Sequence, residues 1–253
     1  MALDVISLLE SKLGREKPQA LFTDIDGVLT TTRDSYALDL EVITLLRALE
    51  GAGVPVCLVS GNAYPVVLTL QRYLGLSPHF VAESGCVVQV GGSVNVLCTV
   101  DLASIVHDIK KLFQLEELPT NRFRLCDRAF TLPGAFKKDT ERVKSLARTI
   151  MDKYPGIRVV YSGYALHVVP EECSKSTGVN FLARSLNIDL KKAIAIGDSA
   201  MDLDMVRAVG VGVAVGDADE ELKKEALAVL PYGASESTKY LLVGVLRYLA
   251  KTL

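Results

Sequence analysis

The stretch Ala20-Leu21-Phe22-Thr23-Asp24-Ile25-Asp26-Gly27-Val28-Leu29-Thr30 places two acidic residues directly after a short apolar run. The apolar run predicts a buried strand. Two carboxylates held close together at its end repel each other unless a cation or a shared proton lies between them, so the pair favours a magnesium site. Asp24 is a candidate to attack phosphorus and form an acyl-phosphate, and Asp26 to donate a proton to the leaving oxygen. A bare Asp-x-Asp pattern is more often a turn or a helix cap, and the residues from Gly27 to Thr30 favour the catalytic interpretation.

Strand-like and helix-like segments alternate along much of the remaining chain. Segments with apolar residues at helical spacing, such as residues 38–49, separate short apolar runs that end at polar or glycine residues. This order is typical of a parallel sheet covered by helices on both faces, in which ligands bind at the carboxyl ends of the strands. The further strands are predicted at residues 54–59, 80–82, 192–196, 211–215 and 226–230.

The middle of the chain has a different pattern. Residues 87–96 alternate around Gly91-Gly92 and predict a hairpin. Hairpins with interspersed helices indicate a small mixed domain inserted into the parallel one. We therefore predict an α/β fold, with a Rossmann-like parallel sheet core formed by residues 1–82 and 171–253 and an inserted mixed α+β domain formed by residues 83–170. Two helices and two strands follow the hairpin, at about residues 102–112, 138–152, 158–161 and 165–169.

Two further clusters have the chemistry of a phosphate site. Ser60, Gly61 and Asn62 follow the second predicted strand, where a hydroxyl and backbone N–H groups near a helix start bind anions. A cap for the helix that begins near Pro65 is an equally good interpretation of this cluster. Lys175 lies at a predicted helix start, where its charge opposes the helix dipole unless it serves an anion such as phosphate. The alternative for Lys175 is a solvated surface lysine.

The last cluster is Gly197-Asp198-Ser199-Ala200-Met201-Asp202, which follows another apolar run. Because Asp202 lies one helical turn beyond Asp198, both carboxylates can face the same point. They are candidates to complete a metal shell with Asp24 and Asp26, and helix capping is the alternative. The four clusters occur in order, each after an apolar run, and together supply a nucleophile, a proton donor, phosphate-binding groups and metal ligands.

These clusters resemble the four motifs of the haloacid-dehalogenase superfamily of phosphatases. The stretch from Asp24 to Thr30 resembles the first motif, Ser60 the second, Lys175 the third, and Gly197-Asp198 through Asp202 the fourth. The insertion between the second and third motifs matches the position of the mixed α/β cap domain that one branch of the superfamily carries. Shorter stretches are similar to archaeal phosphoglycolate phosphatases: Tyr161-Ser162-Gly163-Tyr164-Ala165-Leu166-His167-Val168, Ala82-Glu83-Ser84-Gly85 and Tyr232-Gly233.

The resemblance implies a magnesium-dependent phosphomonoester hydrolase that works through an aspartyl-phosphate. It makes Asp24 the nucleophile and Asp26 the acid and base. Asp24, the backbone carbonyl of Asp26, and Asp198 or Asp202 would hold Mg²⁺. Met201 departs from the pattern, because the family often has Asn immediately before its last acid, and this puts one hydrogen bond near the metal site in doubt.

The resemblance also assigns the phosphate-binding groups. Ser60, with Gly61 and Asn62 beside it, and Lys175 would bind the phosphoryl group. The cap domain is expected to set specificity, because the core motifs contact only phosphate. Candidates to bind a substrate carboxylate bidentately are the cap arginines Arg122, Arg124 and Arg128.

A carboxylate-binding cap suits 2-phosphoglycolate as the substrate. A surface position is the alternative for each of the three arginines, and His167 is expected to be structural. Alternative activities are a sugar-phosphate or mannosyl-3-phosphoglycerate phosphatase and a phosphomannomutase-like phosphomutase. Outside enzymes, the alternative is a regulatory binding protein built on a catalytically inactive core.

Composition limits the other classes. The formal net charge of −2 and the pI of about 6.0 give no sign of nucleic-acid or membrane binding. No stretch approaches the ~18 apolar residues of a membrane helix, and the N-terminal segment lacks a basic region. The five cysteines, odd in number and without a C-x-x-C pair, argue against a disulfide framework or a structural zinc site and predict reduced thiols in the cytoplasm. We expect a small phosphorylated metabolite as partner, and a monomer or homodimer.

Overall fold

The computed structural model describes residues 4–98, 100–134, 139–162 and 164–252. Helices and strands alternate over most of this length. The helices are α1 (Val5–Leu13), α2 (Leu40–Gly51), α3 (Tyr64–Leu74), α4 (Ala103–Phe113), α5 (Thr140–Lys153), α6 (Lys175–Leu186), α7 (Leu203–Ala208), α8 (Glu220–Glu225) and α9 (Ala234–Thr252). The strands are β1 (Leu21–Thr23), β2 (Val56–Val59), β3 (His79–Ala82), β4 (Val87–Val90), β5 (Ser93–Val96), β6 (Glu116–Glu117), β7 (Arg128–Thr131), β8 (Ile157–Tyr161), β9 (Ala165–Pro170), β10 (Ile194–Gly197), β11 (Val211–Ala214) and β12 (Ala228–Val229).

The main sheet has eight strands in the order β12-β11-β10-β1-β2-β3-β4-β5. The six strands from β12 to β3 are parallel to one another. Residues of β1, β2, β10 and β11 are buried without alternation, as expected for a sheet covered on both faces. The predicted α/β class with a parallel core is confirmed.

The hairpin of β4 and β5 belongs to this main sheet. The sequence pattern predicts it within the inserted domain, but β4 pairs antiparallel with β3, from His79 opposite Val90 to Ala82 opposite Val87. A hairpin pattern specifies a local turn and does not specify which sheet edge the hairpin joins. The pairing therefore favours a later start for the inserted domain than residue 83, and the domain boundaries remain a prediction.

A second, antiparallel sheet lies within the inserted segment, in the order β6-β7-β9-β8. It has its own apolar core, in which Phe130, Ile150 and Leu166 are fully buried. The amphipathic helix α5 packs on β8. Two residues named in the sequence predictions lie outside the described residues: Lys138, at the predicted start of the 138–152 helix, and Gly163, in the stretch from Tyr161 to Val168.

Helix α1 packs against the C-terminal helix α9. Asp4 caps α1, because its Oδ1 accepts a 3.1 Å hydrogen bond from the backbone N–H of Ile6. Val5 contacts the small Gly244 of α9, where an added Cβ would lie 2.5 Å from the valine side chain. The N-terminal segment is thus a helix on the surface of the main domain, although its first apolar position, Leu3, lies outside the described residues. No described helix combines the length and the apolar composition needed to cross a bilayer.

The cysteines depart from the sequence prediction. Cys98 and Cys126 form a disulfide with an Sγ–Sγ distance of 2.09 Å. Cys57, Cys86 and Cys173 are buried free thiols. The prediction of reduced thiols is wrong for the first pair, because residues 28 positions apart in sequence meet at the border of the main sheet and the inserted segment.

Candidate active site

Asp24 lies at the carboxyl end of β1, in the middle of the main sheet between β2 and β10. Its Oδ1 accepts a 2.8 Å hydrogen bond from the backbone N–H of Ile25, and its Oδ2 lies 3.0 Å from Nζ of Lys175. Burial raises the pKa of Asp24 well above its usual range; Lys175 opposes this shift, and Asp202 and Asp198 add to it. The site therefore holds more negative charge than one lysine neutralises.

Lys175 is the first residue of α6 and is almost fully buried, at 3% exposure. The N-cap Ser174 accepts a hydrogen bond from Thr177, which fixes the start of this helix. The lysine Nζ lies 2.5 Å from Oδ1 of Asp202 and 3.0 Å from Oδ2 of Asp24. Burial alone would lower the pKa of Lys175, but these two carboxylates outweigh it and raise the pKa above its usual range. Lys175 is therefore a fixed positive charge inside the site.

Asp202 organises the loop that follows β10. Its Oδ2 accepts hydrogen bonds from the backbone N–H groups of Asp198 and Ser199, at 3.1 and 3.0 Å, and from the Ser199 hydroxyl at 3.1 Å. Since its Oδ1 contacts Lys175, both oxygens of Asp202 are engaged. Asp198 points its Oδ2 at Nε of Arg33, 2.7 Å away. Burial and the charge of Asp202 raise the pKa of Asp198 to about 7, against the opposing effect of Arg33.

The three carboxylates form a group suited to a divalent cation. Asp24, Asp198 and Asp202 each offer one oxygen, and these oxygens lie within 4.8 Å of one another. Mg²⁺ prefers such hard oxygen ligands, and the excess negative charge around Lys175 fits a cation at this point. The Asp26 carboxylate is outside this group of described side chains. A contribution of Asp26 to a metal would come from its backbone carbonyl, as the resemblance implies.

Gly27 permits the close approach of the first and last clusters. Its φ is +71°, in the left-handed region that favours glycine. A Cβ at this position would lie 2.4 Å from Oδ2 of Asp198. The Gly of the Asp24–Thr30 stretch is thus required by the position of a carboxylate about 170 residues later in the chain.

Ser60 and Asn62 lie at the carboxyl end of β2. The backbone N–H and the side-chain Nδ2 of Asn62 both donate to Oγ of Ser60 at 3.1 Å. The buried serine hydroxyl therefore keeps its hydrogen available for a ligand. Nδ2 of Asn62 also donates to Oδ2 of Asp26 at 2.8 Å. Asn62, predicted to bind phosphate, thus positions the Asp26 carboxylate and the Ser60 hydroxyl in this structure.

A cavity of about 830 Å³ opens over these groups, a size typical of small-molecule sites. Asp24, Asp26, Ser60 and Lys175 line it together with residues of the inserted segment. The latter include Leu118, Thr120, Arg124, Tyr164 and His167. The cavity therefore lies between the carboxyl ends of the parallel strands and the second sheet.

Of the three predicted cap arginines, only Arg124 lines this cavity. The guanidinium of Arg122 lies over the ring of Phe123, 4.6 Å from its centroid. Nη1 of Arg128 donates to backbone carbonyls of the preceding loop, including that of Asp127 at 2.7 Å. Each of these two side chains has a local partner, which sequence spacing does not reveal, and neither lines the cavity, so their role in carboxylate binding remains a prediction.

Arg124 belongs to a buried polar network that contacts Gly61, in the loop after β2. Its Nη1 donates to the carbonyl of Gly61 at 3.0 Å and forms an ion pair with Asp127. Oδ2 of Asp127 lies 3.0 Å from Nδ1 of His167, which also lines the cavity. Burial would raise the pKa of Asp127, but His167 and Arg124 lower it overall, so this carboxylate is ionised. Sequence reasoning assigns His167 only a structural role and does not identify Asp127.

Two other residues at the site lack a clear sequence signal. Arg33, in the loop after the first cluster, bonds Asp198 and also Asp219 at 2.9 Å. A lone arginine in a polar loop has no pattern that predicts these partners. Glu83 is fully buried, and its carboxylate accepts the backbone N–H groups of Leu125 at 2.9 Å and Cys126 at 2.8 Å. The position of Glu83 directly after β3 is the feature of the sequence that could have predicted this contact between the main sheet and the loop of Arg124.

The chain also matches a known protein family. The family of haloacid dehalogenase-like hydrolases matches the chain at residues 21–131 and 127–238. This chain belongs to that family, which confirms the resemblance seen in the four motifs.

Among its relatives are proteins with a more specific name. A phosphoglycolate phosphatase of Metallosphaera sedula is 41% identical over 206 residues, which cover 81% of this chain and 89% of the relative. A phosphoglycolate phosphatase of Sulfolobus acidocaldarius is 36% identical over 203 residues, covering 80% of this chain and 86% of the relative. The crystal structure of a Thermoplasma acidophilum protein has the same fold, with a TM-score of 0.80 at 23% identity over 91% of this chain and 99% of that one.

Proposed function

We propose that this chain is a magnesium-dependent phosphomonoester hydrolase that forms an aspartyl-phosphate on Asp24. The observation that carries the proposal is the placement of Lys175, 3.0 Å from Asp24 and 2.5 Å from Asp202. This contact brings a nucleophilic carboxylate, a buried cation and the acids of the last cluster to one point. The membership of this chain in the family of haloacid dehalogenase-like hydrolases supports hydrolysis, and the names of the two curated relatives support a phosphate ester as substrate.

In the proposed first step, a carboxylate oxygen of Asp24 attacks phosphorus and the bond to the leaving oxygen breaks. Asp26, oriented by Asn62, donates its proton to that oxygen and later accepts one from the water that hydrolyses the aspartyl-phosphate. The Ser60 hydroxyl and the Lys175 ammonium bind phosphoryl oxygens. Mg²⁺, held by Asp24, the backbone carbonyl of Asp26 and Asp198, would neutralise charge on the phosphoryl group.

Asp202 has a positioning role in this scheme. Three of its hydrogen bonds hold the Asp198 loop, and its second oxygen holds Lys175. Both the metal-binding carboxylate and the phosphate-binding cation therefore depend on Asp202. Of the two alternatives that the resemblance leaves open, this arrangement favours Asp198 as the direct metal ligand.

We propose 2-phosphoglycolate as the substrate. Arg124 and His167 place positively charged or hydrogen-bonding groups on the part of the cavity formed by the inserted segment, which suits a second anionic group on a small ester. The names of the curated relatives point the same way. The cavity volume of about 830 Å³ favours a second candidate, a sugar phosphate, because it exceeds what a two-carbon ester occupies.

Phosphate release tests the substrate. We expect kcat/KM with Mg²⁺ to be higher for 2-phosphoglycolate than for hexose or pentose phosphates. A bisphosphorylated sugar should not increase turnover of a sugar monophosphate, whereas a phosphomutase would require it. A preference for the sugar phosphates would replace the first candidate with the second and leave the hydrolase proposal in place.

Substitution of the nucleophile tests the mechanism. Asp24→Asn removes the attacking carboxylate oxygen, so turnover of every ester should be lost while the far-UV circular dichroism spectrum is retained. Asp34→Asn is the matched control, because Asp34 also lines the cavity but its side chain is exposed. Residual turnover by Asp24→Asn after removal of any deamidated protein would contradict the assignment of the nucleophile.

A further inference from the structure

Four of the five cysteines meet at the border between the two sheets. Cys86 precedes β4, Cys98 follows β5, Cys126 precedes β7 and Cys173 follows β9. Each comes from a different chain segment, and the four span 88 positions of sequence. The fifth cysteine, Cys57, lies within β2 and is fully buried there.

The sulfur atoms form a compact group. The Sγ atoms of Cys86, Cys126 and Cys173 lie within 4.8 Å of one another, and all three residues are buried. The Sγ of Cys98 is bonded to that of Cys126, so it shares the same location. In a tetrahedral zinc site with four thiolates, the Zn–S distance of about 2.3 Å sets the sulfur–sulfur distance at about 3.8 Å. Three of the sulfur atoms thus lie close enough for small movements to reach this spacing, and reduction of the disulfide frees Cys98 beside Cys126 as the fourth ligand.

We propose that, once the Cys98–Cys126 disulfide is reduced, Cys86, Cys98, Cys126 and Cys173 bind one soft divalent ion of the Zn²⁺ class as four thiolates. A dithiol reductant opens the disulfide by exchange: two electrons pass to the cysteine sulfurs and the reductant becomes a cyclic disulfide. Metal binding then displaces four thiol protons and changes no oxidation state. The disulfide and the metal centre are mutually exclusive states of the same four residues.

The surroundings supply positive charge to such a centre. Arg158 donates to the backbone carbonyl of Cys173, while its buried Nε has no hydrogen-bond partner among the described residues. An unpaired buried N–H next to a cysteine is costly unless it meets an acceptor, and a metal-bound thiolate is such an acceptor.

The nearby carboxylates are already engaged by other groups. Glu83 accepts three backbone N–H groups, and Asp127 is paired with Arg124 and His167. Neither therefore requires the cysteines as partners.

The position of the cluster gives the ion a structural role, independent of the phosphatase chemistry. Cys86 directly precedes β4 of the main sheet, and Cys126 belongs to the loop that carries Arg124 to the Gly61 carbonyl. One ion would join these two segments to both stretches of chain that connect the sheets. Zinc would then fix the inserted domain against the main sheet and raise the thermal stability of the whole protein.

Cobalt substitution tests the proposal directly. Reduced protein, held in excess Mg²⁺ to occupy the active-site carboxylates, is titrated with Co²⁺ and then with Zn²⁺. We expect thiolate-to-cobalt charge-transfer absorption and tetrahedral visible bands that saturate at one ion per chain and disappear when Zn²⁺ replaces Co²⁺. Carboxylate ligands at the active site cannot produce the thiolate bands, so failure of the proposed phosphatase function would not affect this readout.

Matched variants locate the site. Cys173→Ala and Cys98→Ala should each reduce the charge-transfer intensity to that of a site with three thiolates and lessen the rise in Tm caused by Zn²⁺, whereas Cys57→Ala should leave both unchanged. The proposal is overturned if reduced wild-type protein shows no thiolate bands, if Cys173→Ala leaves their intensity unchanged, or if intact mass under the same reductant shows a second disulfide between Cys86 and Cys173.

Discussion

Lys175→Met should destabilise the metal-free protein strongly. Nζ of Lys175 lies 2.5 and 3.0 Å from carboxylate oxygens of Asp202 and Asp24, and each attraction amounts to about 5 to 7 kcal/mol at an effective dielectric constant of about 20. Desolvation of the three charges offsets most of this gain in the native protein. Removal of the lysine leaves the desolvation cost in place without the attraction, so we expect the free energy of unfolding to fall by about 3 to 5 kcal/mol.

Urea unfolding in the presence of a chelator, followed by circular dichroism near neutral pH, measures this change. Lys110→Met is the control, because Lys110 pairs with Glu117 at 2.9 Å but is 51% exposed. That surface pair should contribute no more than about 1 kcal/mol. Equal stability losses in the two variants would refute the role of burial in this argument.

A double variant separates the lost attraction from lost packing. Asp202→Asn removes one of the carboxylates left unpaired by Lys175→Met, so the combined loss should be smaller than the sum of the two single losses by at least about 1 kcal/mol. If the losses add, the ion pair is not the source of the destabilisation. The comparison does not depend on catalytic activity, so it remains informative even if neither variant turns over substrate.

Three further predictions concern other parts of the molecule. Gly85→Ala should lower the free energy of unfolding by at least about 2 kcal/mol, because the backbone φ is +102° and a Cβ would lie 1.7 Å from the carbonyl oxygen of Ser174; in urea unfolding, Gly92→Ala, with open space around it, should change little. Asp39→Ala removes the N-cap of α2 and should cost about 1 kcal/mol at neutral pH. Partial burial raises the pKa of Asp39, but hydrogen bonds, led by that of Ser235, lower it below 3.8 overall. The stability that Asp39 contributes is therefore present above pH 4 and lost as the pH falls through the lower folded-state pKa. A difference in stability between the two proteins that stays constant during acid denaturation would contradict this. Chelation of divalent ions should abolish phosphate release, and Ca²⁺ should restore it poorly because its coordination is larger and looser than that of Mg²⁺; equal rates with and without chelator would refute metal dependence.

The sequence predicts the main sheet and the placement of the acids well. Asp24, Ser60 and Asp198 each follow a continuous apolar run, and parallel strands bring their carboxyl ends to one edge of the sheet. Lys175 reaches the same edge of the sheet from the first turn of α6. Local pattern was sufficient here because the site follows directly from the rule that governs parallel sheets.

Features that depend on pairing between distant segments were not predictable in this way. The cysteine cluster takes one residue from each of four segments, so no C-x-x-C spacing predicts it. The contact of Arg33 with Asp198 joins a polar loop to a position 165 residues away. Residue type alone also does not reveal that Arg122 and Arg128 have local partners and do not line the cavity.

The central position of β1 also has a consequence for how the chain is made. Its neighbour β2 follows soon after it, whereas its other neighbour, β10, begins only at Ile194. At translation rates of about 5 to 20 residues per second, roughly 10 to 30 s pass between the synthesis of β1 and that of β10. During this interval the apolar strand that bears Asp24 has one open edge, which can template pairing with another chain. A truncated chain that ends before β10 would keep this apolar edge unpaired, so we expect it to aggregate more readily than the full chain.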